Sequence, residues 1–109
     1  MHRRRYERAP FFADVTLRAF PNGPSVPART LDLSLGGVGL VTGAAFTPGQ
    51  LVSVTLYLVD SAKRSTKVEV VGRVVNLNAD VDANRLGVEF VEPLSAAKTP
   101  ELVDRLQRI

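Results

Sequence analysis

The sequence predicts an all-β domain, a small sandwich or barrel, followed by one short helix. Three observations carry this. Apolar and polar residues alternate in short runs. Turn-forming clusters separate the runs at intervals of about 8–12 residues. Only the C-terminal tail changes to helical spacing.

The first run, Phe11 to Phe20, alternates loosely through Val15, Leu17 and Ala19 and stops at Pro21-Asn22-Gly23-Pro24, a strong turn signal. Val26 to Leu35 comes next, with Ala28, Thr30, Asp32 and Ser34 assigned to one face and Arg29, Leu31, Leu33 and Leu35 to the other. Gly36-Gly37 breaks this run, and Val38 to Thr42 forms a short strand before Gly43. After the turn Thr47-Pro48-Gly49, residues Gln50 to Val59 place Val52, Val54, Leu56 and Leu58 on a common face. Asp60 to Ser65 reads as a hairpin loop. Lys67 to Leu77 is a valine-rich strand in which Gly72 marks a bulge or a close contact. Asn78 to Asn84 is an acidic loop, and Leu86 to Val91 is the last strand.

In the tail, Thr99 suits a helix N-cap, Pro100 its first turn, and Glu101 and Asp104 its positive end. Leu102, Leu106 and Ile109 fall at helical spacing with Val103 beside them, and Glu101–Arg105 and Asp104–Arg108 are i,i+4 pairs. So short a helix needs a surface to dock on, and its own domain is the expected one.

At 109 residues the chain is one domain by length, and 45% hydrophobic with 23% charged residues place it among globular proteins rather than disordered tails. The absence of cysteine excludes disulfides and thiolate metal sites and fits the cytoplasm. No apolar run approaches the roughly 20 residues a membrane helix needs, so membrane insertion is not expected. The basic N-terminus lacks the apolar stretch of a signal peptide. The net charge is +3, and residues 1–8, with Arg3, Arg4, Arg5 and Arg8 against Glu7, account for all of it. Proteins that coat nucleic acid spread their cations over a face. Here the positive field is a short arm on a neutral body, and the strands lack an aromatic platform, so nucleic acid is not the expected partner.

Catalysis is hard to assemble from these residues. The single histidine is His2, Ser34 near Asp32 has no base, and Asp80 and Asp82 lack the ligand series of a calcium loop. The chain reads as a binder, not an enzyme, with no metal. Two elements supply binding chemistry: Arg4-Arg5-Tyr6-Glu7-Arg8 and Asp32-Leu33-Ser34-Leu35-Gly36-Gly37. Guanidinium groups bind phosphate bidentately and stack on aromatic planes. A carboxylate accepts from the N1–H and N2–H₂ of a guanine edge; Ser34 adds a donor and acceptor on the same side, and Gly37 lets the backbone approach. Taken singly, the first element also fits a basic terminus and the second an ordinary hairpin.

Together they resemble the signature of the PilZ domain family, bacterial receptors for cyclic di-GMP: R-x-x-x-R followed by D/N-x-S-x-x-G. Gly72-Arg73-Val74-Val75 and Leu86-Gly87-Val88-Glu89-Phe90 are similar to the family's later strands, so the likeness runs from about Arg3 to Val91. The resemblance implies a six-stranded antiparallel β-barrel with a short C-terminal α-helix, divided into an arginine-rich flexible arm (1–10), a barrel (11–92) and a helix (99–109). It implies that Arg4 and Arg8 contact ligand phosphates and guanine faces, that Asp32 and Ser34 read a guanine, and that Gly37, with Gly36 beside it, shapes the site. Arg3 and Arg5 flank Arg4, and relatives with such extra arginines often hold an intercalated cyclic di-GMP dimer, so two ligands are expected. Some relatives carry an aromatic residue after the Gly-x-Val-Val element as an extra stacking contact; in this chain Asn76 stands at that position and is counted with the site residues.

The implied function is a cytoplasmic receptor whose arm orders over the barrel on binding ligand. The change then passes to an unidentified downstream protein or domain. The competing reading is a degenerate PilZ-like interaction module without nucleotide binding.

Overall fold

The computed structural model describes residues 7–59, 62–79, 81–100, 102–103 and 106. Among them are seven strands: β1 (Ala9–Pro10), β2 (Asp14–Ala19), β3 (Ser25–Leu33), β4 (Gly37–Thr42), β5 (Leu51–Val59), β6 (Ser65–Ala79) and β7 (Asn84–Phe90). All pairings are antiparallel. The sheet runs β1-β3-β2-β5-β6-β7-β4 and closes through β3–β4. The result is a six-stranded barrel, β2 to β7, with the two-residue β1 added along β3. Closure leaves few open strand edges to template association.

The inner faces follow the predicted alternation. Leu17, Leu40, Val52, Val54 and Val74 are all at most 1% exposed. The expected turn at Thr47-Pro48-Gly49 forms, with the Gln50 amide donating to the Thr47 carbonyl at 3.1 Å. Gly49 sits at φ +91°, a conformation glycine adopts at the third position of a type II turn behind proline.

Local geometry corrects two expectations and decides a third. The strand expected over Phe11–Phe20 begins only at Asp14, because Phe11–Ala13 turns away from regular pairing and drops Phe11 into the core at 4% exposure. Thr30 stitches the break: its hydroxyl donates to the Phe11 carbonyl at 2.7 Å and accepts from the Ala13 amide at 2.8 Å. Pairing has resumed at Ala9–Pro10, so the last two residues of the expected arm are held against β3.

The second correction concerns faces. The β3–β4 register shifts between Thr30 and Asp32, which makes Leu31 a bulge. A bulge reverses the alternation beyond it. Ala28 and Thr30 point inward, but so does Leu33 at 1% exposure, and Asp32 lies outside. The third concerns β6. Its bulge is at Val75, not Gly72, since the β6–β7 register shifts between Val74 and Asn76. Gly72 is instead the close contact: a Cβ there would stand 2.5 Å from Val88 Cγ1 and 2.7 Å from the Glu89 carbonyl oxygen.

In the tail, the described residues Pro100, Leu102, Val103 and Leu106 are helical. The Thr99 carbonyl accepts from the Val103 amide at 3.1 Å, as the first carbonyl of a helix does. The Thr99 hydroxyl bonds back to Ser95, accepting from its amide at 3.1 Å and donating to its carbonyl at 3.2 Å. Leu102 is fully buried in the barrel core, with Val103 and Leu106 packed beside it. The tail therefore docks on its own domain. Glu101, Asp104, Arg105, Arg108 and Ile109 lie outside the described residues, as do Asp60 and Asp80.

Candidate functional site

The two bulges produce one result twice. On the outer face of the barrel, Gly39 of β4 stands opposite Gly87 of β7. Across β3–β4 the partner of Gly39 is Asp32, and across β6–β7 the partner of Gly87 is Asn76. Four strands thus contribute one outer row, Asp32–Gly39–Gly87–Asn76. Without the bulge at Leu31, Asp32 would face the core; without the bulge at Val75, so would Asn76.

The glycines let both polar side chains lie against the sheet. A Cβ on Gly39 would be 2.9 Å from Asp32 Oδ1, and one on Gly87 would be 3.0 Å from Asn76 Nδ2. The Gly39 amide donates to Asp32 Oδ1 at 3.1 Å, while Asp32 Oδ2 is 3.7 Å from Arg8 Nη1. These side chains are 31% and 37% exposed, so their attraction is worth about 1 kcal/mol or less. The pair is close enough to define a site and weak enough to be exchanged for a ligand. A carboxylate has about four acceptor positions, and Asp32 keeps some of them for donors arriving from outside.

Ser34 begins the β3–β4 turn and is 6% exposed. Its hydroxyl accepts from the amides of Gly36 at 3.2 Å and Gly37 at 3.1 Å, and lies 3.4 Å from the Gly37 carbonyl. Its amide donates to that carbonyl at 2.9 Å. The hydroxyl is therefore engaged inside the turn. Gly36 accepts from the Phe90 amide at 2.8 Å, and Leu35 from the Leu94 amide at 2.7 Å, which latches the turn to the end of β7. At Gly37 the Val88 carbonyl oxygen would be 2.4 Å from any Cβ, so no other residue fits without moving β7.

Of the residues expected from the sequence, the structure brings together Arg8 and Asp32, and sets Ser34, Gly36 and Gly37 in the turn beside them. Asn76 joins the same row three strands from Asp32, beyond Gly39 and Gly87. Arg3, Arg4 and Arg5 lie outside the described residues. Among the described residues no group of histidine, cysteine, aspartate and glutamate is placed to hold a metal ion, and no helix is long and apolar enough to cross a membrane. Sequence reasoning missed the glycine pair at the centre of the row. The available signal was two glycines inside strands, away from any turn and alternating with core residues: Val38-Gly39-Leu40 and Leu86-Gly87-Val88.

The sequence profile of the PilZ domain family matches residues 2–108. The chain belongs to the PilZ domain family. Solved structures with the same fold include the Bacillus subtilis inhibitor of motility MotI/DgrA, with TM-score 0.75 and 18% identity over 99% of this chain and 52% of that one. YcgR from Escherichia coli in complex with cyclic di-GMP gives TM-score 0.67 and 19% identity over 97% of this chain and 46% of that one. The PilZ domain of YcgR with cyclic di-GMP gives 0.63 and 16%, covering 99% of this PilZ chain and 100% of that domain. The chain spans about half the length of the first two proteins. Comparison with curated proteins finds no match.

Proposed function

We propose that this PilZ domain is a receptor for cyclic di-GMP, not an enzyme. The observation that carries the reading is the meeting of the two sequence elements: Arg8 of the first stands 3.7 Å from Asp32 of the second. Asp32 accepts from a guanine edge, and Arg4 and Arg8 bind phosphate and stack on the bases. Ser34, Gly36 and Gly37 hold the turn that fixes Asp32, and Asn76 offers an amide at the far end of the row. Arg3 and Arg5 supply charge for a second, intercalated ligand.

Like charges in the arm repel one another without ligand, and two phosphates relieve that repulsion. The arm then orders against the barrel, pivoting before Ala9, where pairing with β3 begins. A downstream protein or adjoining domain in the cytoplasm reads the new surface. The structural relatives solved with cyclic di-GMP support the choice of ligand, as does the family to which the chain belongs.

Titration calorimetry with cyclic di-GMP tests this. A charge-assisted hydrogen bond contributes roughly 1.5–3 kcal/mol, so Arg8→Ala and Asp32→Ala should each weaken binding about tenfold or more. The stoichiometry of the same titration separates one ligand from two. Unchanged affinity in both variants would falsify the site, and a wild type that ignores micromolar cyclic di-GMP would leave a protein-interaction module.

A further inference from the structure

The row next to the Asp32–Gly39–Gly87–Asn76 shelf holds a cation that neither sequence element contains. Arg85 lies on β7 two residues before Gly87 and therefore on the same outer face. It stands opposite Val41 of β4 on one side and Asn78 of β6 on the other. The other arginine of that row, Arg29 across Val41, is already committed: its Nε and Nη2 both donate to Asp14 Oδ1 at 3.2 Å. Arg85 is exposed and, among the described residues, has no carboxylate within ion-pairing distance.

The nearest acid along its own strand is Glu89, four residues on and past the glycine. It faces Gly37 and Arg73 rather than Arg85. Arg73 in turn donates to the Gly49 carbonyl at 2.6 Å. Around the shelf, then, two guanidinium groups border the glycine floor from different sides. Arg8 borders it at Asp32, and Arg85 at Gly87. Adjacent strands lie about 4.8 Å apart and a two-residue step covers about 6.7 Å, so the Asp32 and Arg85 Cα atoms are about 12 Å apart.

This matters because the proposed ligand has two phosphates on opposite sides of one ring. If one of them meets Arg8, a cation across the glycine floor is placed to meet the other. We propose that Arg85 is a phosphate-binding residue of the barrel wall, holding the phosphate of the cyclic dinucleotide that lies away from Arg8. The inference rests on the receptor reading above and adds a rigid strand position to a site otherwise charged by the arm.

Titration of the full chain with cyclic di-GMP tests it, using Arg85→Ala, Arg85→Lys and a charge-matched control, Lys67→Ala. Lys67 points outward from β6 opposite Tyr57, on the far wall. Arg85→Ala should raise Kd about tenfold or more. Arg85→Lys should fall between that variant and the wild type, because the point charge is kept and the bidentate fork is lost. Lys67→Ala should match the wild type. Wild-type binding with an unchanged Arg85→Ala variant overturns the inference alone. Equal weakening by Lys67→Ala overturns it too, since the effect would then be the general field of the domain. A wild type that does not bind overturns the receptor reading itself.

Discussion

The two walls of this barrel use their outer faces in opposite ways. On the β2–β5–β6 wall, outward side chains satisfy one another. Ser53 is 1% exposed although it points away from the core, because Arg18 and Glu69 close over it. On the β3–β4–β7–β6 wall the central outward positions are glycines, and the polar groups come from flanking strands through bulges. The first wall spends its hydrogen bonds on the fold. The second leaves part of the capacity of Asp32, and all that is proposed of Arg85, to something arriving from solvent. Binding chemistry in this small domain sits where the sheet is least finished by its own side chains.

The comparison is sharpest at two glycines given the same substitution. Gly72 faces inward on β6, and a methyl there would press on Val88 and on the Glu89 carbonyl, neither of which moves freely. Gly72→Ala should destabilise the domain by about 1–3 kcal/mol, as overpacking does, and lower Tm by roughly 10 °C. A thermal melt indistinguishable from wild type would show that β6 and β7 can separate locally, and that this glycine is not a close contact the core depends on.

Gly39→Ala meets a different neighbour. Its methyl would stand 2.9 Å from Asp32 Oδ1, the end of a flexible side chain that can swing aside. Gly39 has ordinary backbone angles, since the one glycine of positive φ is Gly49, so alanine is tolerated by the main chain. The carboxylate loses its bond from the Gly39 amide and its aim. The expected outcome is a Tm within a few degrees of wild type and affinity for cyclic di-GMP lowered about tenfold. Full affinity would mean that the glycine floor is irrelevant to the ligand.

The fold was readable in the sequence wherever alternation and turn chemistry agreed. Val52, Val54, Leu56 and Leu58 line the core as their spacing predicts, and Pro48-Gly49 makes the turn its residues favour. The bulges were not readable, because a strict period of two has no term for an extra residue. Continuing it through Leu31 put Asp32 on the face of Thr30 and Leu33 outside, whereas Leu33 is in the core. Strict alternation puts Asp32 and Ser34 together on a ligand face, yet the Ser34 hydroxyl is engaged with Gly36 and Gly37. Hydroxyls near a turn often find the backbone first. Arg85 escaped notice because nothing in its neighbours along the chain marks it. Its place beside Gly87 and apart from Asp14 exists only once β4, β6 and β7 are paired.

The smallest predicted effect tests the closed wall. Ser53 donates to Glu69 Oε2 at 2.7 Å, and Arg18 Nη2 lies 3.5 Å from the same oxygen. Ser53→Ala removes the hydroxyl, but Glu69 is 49% exposed at its side chain and keeps both Arg18 and water. No buried group is orphaned, so the cost is that of one hydrogen bond, about 1 kcal/mol, and Tm should fall by about 4 °C. Affinity for cyclic di-GMP should not change, because this wall lies away from the shelf. A loss of affinity comparable to that of Gly39→Ala would break the division, since it would show that the ligand or the arm reaches the wall taken here to be closed.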